Sequence, residues 1–173
     1  MQVSITVERP EGAAKTAVYA GLGSQLRGLL EGERDPLANT ANAAALLFAV
    51  LPGLNWAGFY FLRGGQLVVG PFQGRPACVR IDLGRGVCGK AATARHTLVV
   101  ADVHAFDDHI ACDAASNSEI VVPLVVGGHL VGVLDLDSPL RGRFDEADGT
   151  GLEALAQLLA EGCDWHLAGI DGF

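Results

Sequence analysis

The chain has 173 residues, a mass of 18.0 kDa and a formal net charge of −8, from 12 basic and 20 acidic residues. That length fits one domain, and 50% hydrophobic against 18% charged residues excludes a disordered chain. The acidic balance offers no footprint for a phosphate backbone, so no nucleic acid partner is expected. No apolar stretch reaches the roughly 18 residues that span a bilayer, so no membrane is expected either.

Residues 1–14 lack periodicity and read as a weakly ordered arm, which leaves 15–173 as the domain. No secretory apolar region follows Met1. The chain is therefore expected to be cytoplasmic and its four cysteines reduced. Resting structural disulfides are not expected there, and redox or metal chemistry moves up.

Tyr19, Leu22, Leu26 and Leu29 recur at helical spacing, and Glu31-Gly32 closes that helix. Asp35-Pro36 is an N-cap followed by proline, and it starts a second amphipathic helix that stops near Pro52-Gly53. Trp56–Leu62 reads as a strand, Arg63-Gly64-Gly65 as its turn and Gln66–Gly70 as its return, with a Gly/Pro loop at 71–77. Cys78–Ile81 reads as a short strand, Gly86 to about Arg95 as a helix and Thr97–Val100 as another strand. Residues 102–118 lack regular patterning and hold two His and Cys112; a loop of that size is usually functional. Glu119–Val126 and His129–Asp137 are strands joined by a Gly127-Gly128 turn. Phe144-Asp145 caps a final helix, within which Cys163 falls. Six strands among four helices predict an α+β domain with helices packed on an antiparallel sheet.

The cysteines at 78, 88, 112 and 163 form no Cys-x-x-Cys pair, and the histidines show no ligand spacing, so no metal site is expected. Cys88 lies near a predicted helix N-terminus, which favours a thiolate and makes it one possible nucleophile. Cys112, in the long loop near His104 and His109, is the other. Asp135 and Asp137 alternate onto one face of their strand, and Glu119 on the partner strand joins them. Acids on an otherwise apolar strand are costly unless that face is wet or used; paired acids suit an ammonium group, and one of them can hold a proton at neutral pH. Trp56, Gly58 and Tyr60 share a face, where a glycine between two rings leaves room for a small apolar group.

Several segments together resemble the free methionine-(R)-sulfoxide reductases, a GAF-domain family. They are Asn-Trp-Ala-Gly-Phe-Tyr at 55–60, Gly-Pro-Phe-Gln-Gly-Arg-Pro-Ala-Cys at 70–78 and Gly-Arg-Gly-Val-Cys-Gly at 84–89. Next come Asp-Val-His-Ala-Phe at 102–106, His-Ile-Ala-Cys-Asp at 109–113, Ala-Ser-Asn-Ser-Glu-Ile-Val-Val-Pro at 115–123 and Gly-Val-Leu-Asp-Leu-Asp-Ser-Pro at 132–139. The resemblance runs over roughly 15–163 and implies a GAF domain at 15–173. It implies reduction of free methionine-R-sulfoxide, with Cys112 as nucleophile, Cys78 as resolving thiol and Cys88 as a third redox thiol. Glu119, Asp135 and Asp137 map onto its acids, and Trp56 and Tyr60 onto its aromatic pocket. It also implies no bound cofactor, thioredoxin as external reductant and a homodimer. The alternative is a GAF sensory module that binds a small ligand without chemistry.

Overall fold

The computed structural model describes residues 14–108, 110 and 114–170. Helices α1 (Lys15–Leu30) and α2 (Pro36–Val50) precede strands β1 (Trp56–Arg63), β2 (Gln66–Gly74) and β3 (Arg80–Asp82). Helix α3 (Gly86–Ala94), β4 (Leu98–Val100), β5 (Ser118–Val126), β6 (His129–Ser138) and α4 (Glu146–Gly162) follow. The strands form one sheet in the order β3-β2-β1-β6-β5-β4, and every neighbouring pair is antiparallel. No helix among the described residues is long and apolar enough to cross a membrane.

Local chemistry accounts for the element ends. Asp35 accepts from Ala38 N at the start of α2, with Pro36 at the first helical position. Asp145 and Asp148 form a reciprocal capping box on α4. Gly127 and Gly128, at φ +56° and +84°, supply the left-handed pair that a two-residue hairpin turn needs. That turn sets Val126 opposite His129, and a bulge between Leu124 and Val125 then shifts the β5–β6 register by one residue, which places Glu119 opposite Asp137 and Val121 opposite Asp135.

Alternation then sorts the side chains onto two faces. Ala57, Phe59, Phe61, Ile120, Val122, Leu134 and Leu136 join a core under α1, α2 and α4. Trp56, Tyr60, Val121 and Val133 join a second core under α3. The sheet is thus covered by three helices on one side and by one helix with its loops on the other.

Three boundaries differ from the sequence reading. Strand β2 continues to Gly74 through the segment expected to be loop. Its pairing with β1 shifts between Gly58 and Tyr60, so Pro71 sits at a bulge, and β3 pairs only with Gln66–Val68. A proline is tolerated where no ladder donor is required. The short strand expected at Cys78 begins at Arg80, so Cys78 lies in the preceding loop. Cys163 caps α4 instead of lying within it. Within the long loop, Val103–Ala105 form a 3-10 turn capped by Asp102.

Candidate active site

The face under α3 holds a pocket with an empty volume of about 510 Å³, part of it open to solvent. Its floor is the centre of the sheet. Trp56 stands opposite Asp137 and Gly58 opposite Asp135 across β1–β6, and Glu119 stands opposite Asp137 across β5–β6. Helix α3 forms the roof with Gly86, Val87 and Cys88.

Glu119 and Asp135 are 7% and 5% exposed. Both carboxyls are held well above the ordinary carboxylate range. Burial is the main cause for each; the charges of Asp135 and Asp137 add to it for Glu119, and that of Asp137 adds for Asp135. Asp135 Oδ1 and Trp56 Nε1 are both buried with no hydrogen-bond partner among the described residues. An acceptor and a donor left open in one pocket leave it ready for a polar ligand. No lysine, arginine or histidine lines the pocket among the described residues.

Trp56 stacks on Phe72 with centroids 5.3 Å apart and planes at 16°, and on Tyr60 at 5.8 Å and 28°. Gly58 does not open the ligand space that the sequence suggested. A β-carbon there would lie 2.6 Å from the Trp56 ring and 2.3 Å from Phe72 Cβ, so the aromatic stack itself fills the gap. Tyr60 is buried, its hydroxyl donates to the Cys78 carbonyl at 3.1 Å, and burial pushes its ionisation far above the usual phenol value.

The thiols divide in three ways. Cys78 is disulfide-bonded, against the expectation that no resting disulfide would form. Cys88 and Cys163 are free and buried. Cys112 and His109 lie outside the described residues. The helix-dipole reading of Cys88 is overturned. Burial, followed by the charges of Asp135, Glu119 and Asp137, pushes its thiol well up, and a nine-residue helix does not offset this. Its Sγ lies 3.8 Å from Glu119 Oε1. His104, taken as a possible basic neighbour of the loop thiol, is exposed and pairs with Asn117 Oδ1 at 3.0 Å.

Sequence reasoning did not single out Pro76, Ala77, Ile81, Val87, Ile110 and Ser116, which complete the lining. Ile81 carries a signal in the alternation of β3, where it alone is buried. Nor did spacing indicate that Cys88, Glu119 and Asp135 offer three ligand atoms within 4.8 Å of one another.

The chain matches the GAF domain family over residues 39–162. It is 55% identical to Protein YtsP of Bacillus subtilis (strain 168), across 88% of this chain and 94% of that one. It is 54% identical to the free methionine-R-sulfoxide reductase of Escherichia coli (strain K12), across 84% of this chain and 88% of that one. The X-ray structure of the free methionine-R-sulfoxide reductase from Neisseria meningitidis in complex with its substrate aligns with a TM-score of 0.88. Identity there is 43%, over 92% of this chain and 95% of that one. A GAF sheet and an acid-floored pocket thus coincide with similarity along nearly the whole chain, and the protein belongs to the free methionine-R-sulfoxide reductase family of GAF-domain proteins.

Proposed function

We propose that the protein reduces free methionine-R-sulfoxide to methionine. The observation that carries this reading is the pocket floor: buried carboxylates, an unpartnered Asp135 oxygen and no basic side chain in the described lining. Such a floor suits a ligand that brings its own cation, as a free amino acid brings its ammonium. A peptide-bound residue lacks that ammonium and would leave the buried Asp135 oxygen without a partner. Trp56 and Tyr60 would hold the apolar end of the substrate.

In this reading one protonated acid of the Glu119, Asp135 and Asp137 group donates its proton to the sulfoxide oxygen. Burial of Glu119 and Asp135 favours the neutral acid that this step requires. The Cys112 thiolate attacks the protonated sulfoxide's sulfur; the hydroxyl then passes from that sulfur to the Cys112 sulfur as the transient sulfur–sulfur bond breaks, so methionine leaves with the electron pair and Cys112 is left as a sulfenic acid. Cys78 then condenses with it, expelling water and forming a disulfide. The disulfide-bonded state of Cys78 supports a redox role for that thiol. Thioredoxin returns two electrons by exchange, and no bound cofactor is required. Cys88, implied as a third redox thiol, receives no step, because its surroundings hold it as a thiol. A homodimer belongs to the same reading and is read by sedimentation.

The test is NADPH oxidation coupled through thioredoxin and its reductase. Free methionine-R-sulfoxide, its S epimer and the N-acetylated R compound are run side by side. Turnover on the free R epimer alone supports the reading, together with its loss in Cys112→Ser. No turnover on any of the three by the reduced protein leaves the sensory-module alternative standing.

A further inference from the structure

Cys88 is a buried thiol on the pocket wall that the proposed cycle does not use. Its Sγ is 3.8 Å from Glu119 Oε1, and Sγ with one oxygen each of Glu119 and Asp135 lie within 4.8 Å of one another. Asp135 is 5% exposed, lines the pocket, and leaves Oδ1 without a hydrogen-bond partner among the described residues. In tetrahedral zinc, a Zn–S bond near 2.3 Å and a Zn–O bond near 2.0 Å put the two donor atoms about 3.5 Å apart. The sulfur–oxygen pair is therefore already close to that spacing.

The donor set selects the ion. A thiolate with two carboxylates suits a borderline-soft divalent metal, whereas Mg²⁺ and Ca²⁺ take oxygen alone. Three protein ligands also leave zinc a fourth position, which water from the open side of the pocket can fill. We propose that Cys88, Glu119 and Asp135 form a Zn²⁺ site, and that the bound ion closes the pocket to substrate. Binding breaks the S–H bond of Cys88 and the O–H bond of whichever of Glu119 and Asp135 is protonated, releases those protons to solvent and forms one Zn–S and two Zn–O bonds; no atom changes oxidation state. The exclusion half of the proposal rests on the reading that these acids hold the substrate's ammonium. The binding half does not.

The oxidised protein isolates the binding question, because Cys78 is then occupied in its disulfide and Cys88 and Cys163 are the free thiols. Zn²⁺ is titrated by calorimetry and Co²⁺ by absorption spectroscopy. One Zn²⁺ per chain is expected, with a thiolate-to-cobalt charge-transfer band. Cys88→Ser should remove the band, and Cys88→Ser and Asp135→Asn should each weaken Zn²⁺ at least tenfold, with circular dichroism confirming that both fold. Cys163→Ser should change neither signal. Absence of Zn²⁺ binding, or binding that survives Cys88→Ser, overturns the site. In the coupled assay, Zn²⁺ should compete with the sulfoxide, and its inhibition constant should rise at least tenfold in Cys88→Ser; an unchanged constant overturns the exclusion. A protein without turnover in metal-free buffer fails the reductase reading and leaves the titrations to decide the site alone.

Discussion

Gly58→Ala tests how the pocket is assembled. The new β-carbon would fall 2.3 Å from Phe72 Cβ, 2.6 Å from the Trp56 ring and 2.9 Å from Phe72 Cα. Carbon pairs rest at about 3.5–4.0 Å, so the overlap exceeds 1 Å on the β2 side. Phe72 Cβ is fixed to its backbone and cannot rotate away. Either β1 and β2 separate at the bulge, or Trp56 leaves its stack. Overpacking of this kind costs about 1–3 kcal/mol. At roughly 2–4 °C per kcal/mol for a domain of this size, the melting temperature falls by about 2–12 °C. Because Trp56 lines the pocket, the kinetic defect should fall on KM for the sulfoxide more than on kcat. Calorimetry and the coupled assay read the two effects. A variant that melts within about 1 °C of wild type with an unchanged KM would refute the claim that this glycine exists to seat the ring.

Asp135→Asn and Glu119→Gln should each raise the melting temperature at neutral pH. Their carboxyls are pushed up by burial and neighbouring charge, so the stability they contribute is complete below the ordinary carboxylate pKa and is lost as pH rises through the raised value. The amides copy the protonated acids, so a pH series should show the gain vanish in acid; a gain greatest in acid contradicts the assignment. Cys88 should react with iodoacetamide far more slowly at neutral pH than a solvent-exposed thiol and catch up only in denaturant, as followed by mass spectrometry. Fast labelling of the native protein would mean that the thiol is neither buried nor protonated as described. Asp148→Ala should cost about 3–5 kcal/mol in urea denaturation, since it removes a buried charge and strands its partners. Asp148 accepts from Tyr19 Oη at 2.8 Å, Arg143 Nη1 at 3.3 Å and the Asp145 amide at 3.0 Å, and it pairs with Lys15; a loss under 1 kcal/mol would show that those contacts are dispensable. Cys78→Ser should still consume one equivalent of sulfoxide and leave a dimedone-reactive Cys112; a full catalytic rate in that variant would remove Cys78 from the cycle.

Features set by periodicity were legible. Alternation along β6 placed Asp135 and Asp137 on one face, and the Gly127-Gly128 turn announced the hairpin whose other strand carries Glu119, whereas the bulge at Leu124/Val125 that sets Glu119 opposite Asp137 left no local pattern. The helices α1, α2 and α4 announced themselves through spacing and caps. Other features depend on contacts that one segment cannot reveal. Cys88 sits near a helix start, which argues for a thiolate, yet burial against the sheet, and then the charges of carboxylates 31 and 47 residues further on, reverse the sign. Pro71 argued for a loop because the bulge that accommodates it exists only once β1 is paired. The space over Gly58 looked open because Phe72 belongs to another strand. The ion-pair cluster on Asp148 joins residues more than 120 positions apart, and no local pattern connects them.

The chain has two tryptophans, and the sheet keeps them in different cores. Trp165 packs edge-on to Phe61 and donates its indole N–H to Ala160 O at 3.2 Å. Trp56 faces the pocket with its indole N–H unpartnered among the described residues. Emission from an indole shifts with the polarity and hydrogen bonding around it. A Trp165→Phe chain therefore carries a single fluorophore that answers to whatever enters the pocket, and a Trp56→Phe chain one that answers to unfolding of the helical side. The two single-tryptophan variants thus offer separate label-free optical channels, one for occupancy and one for global stability.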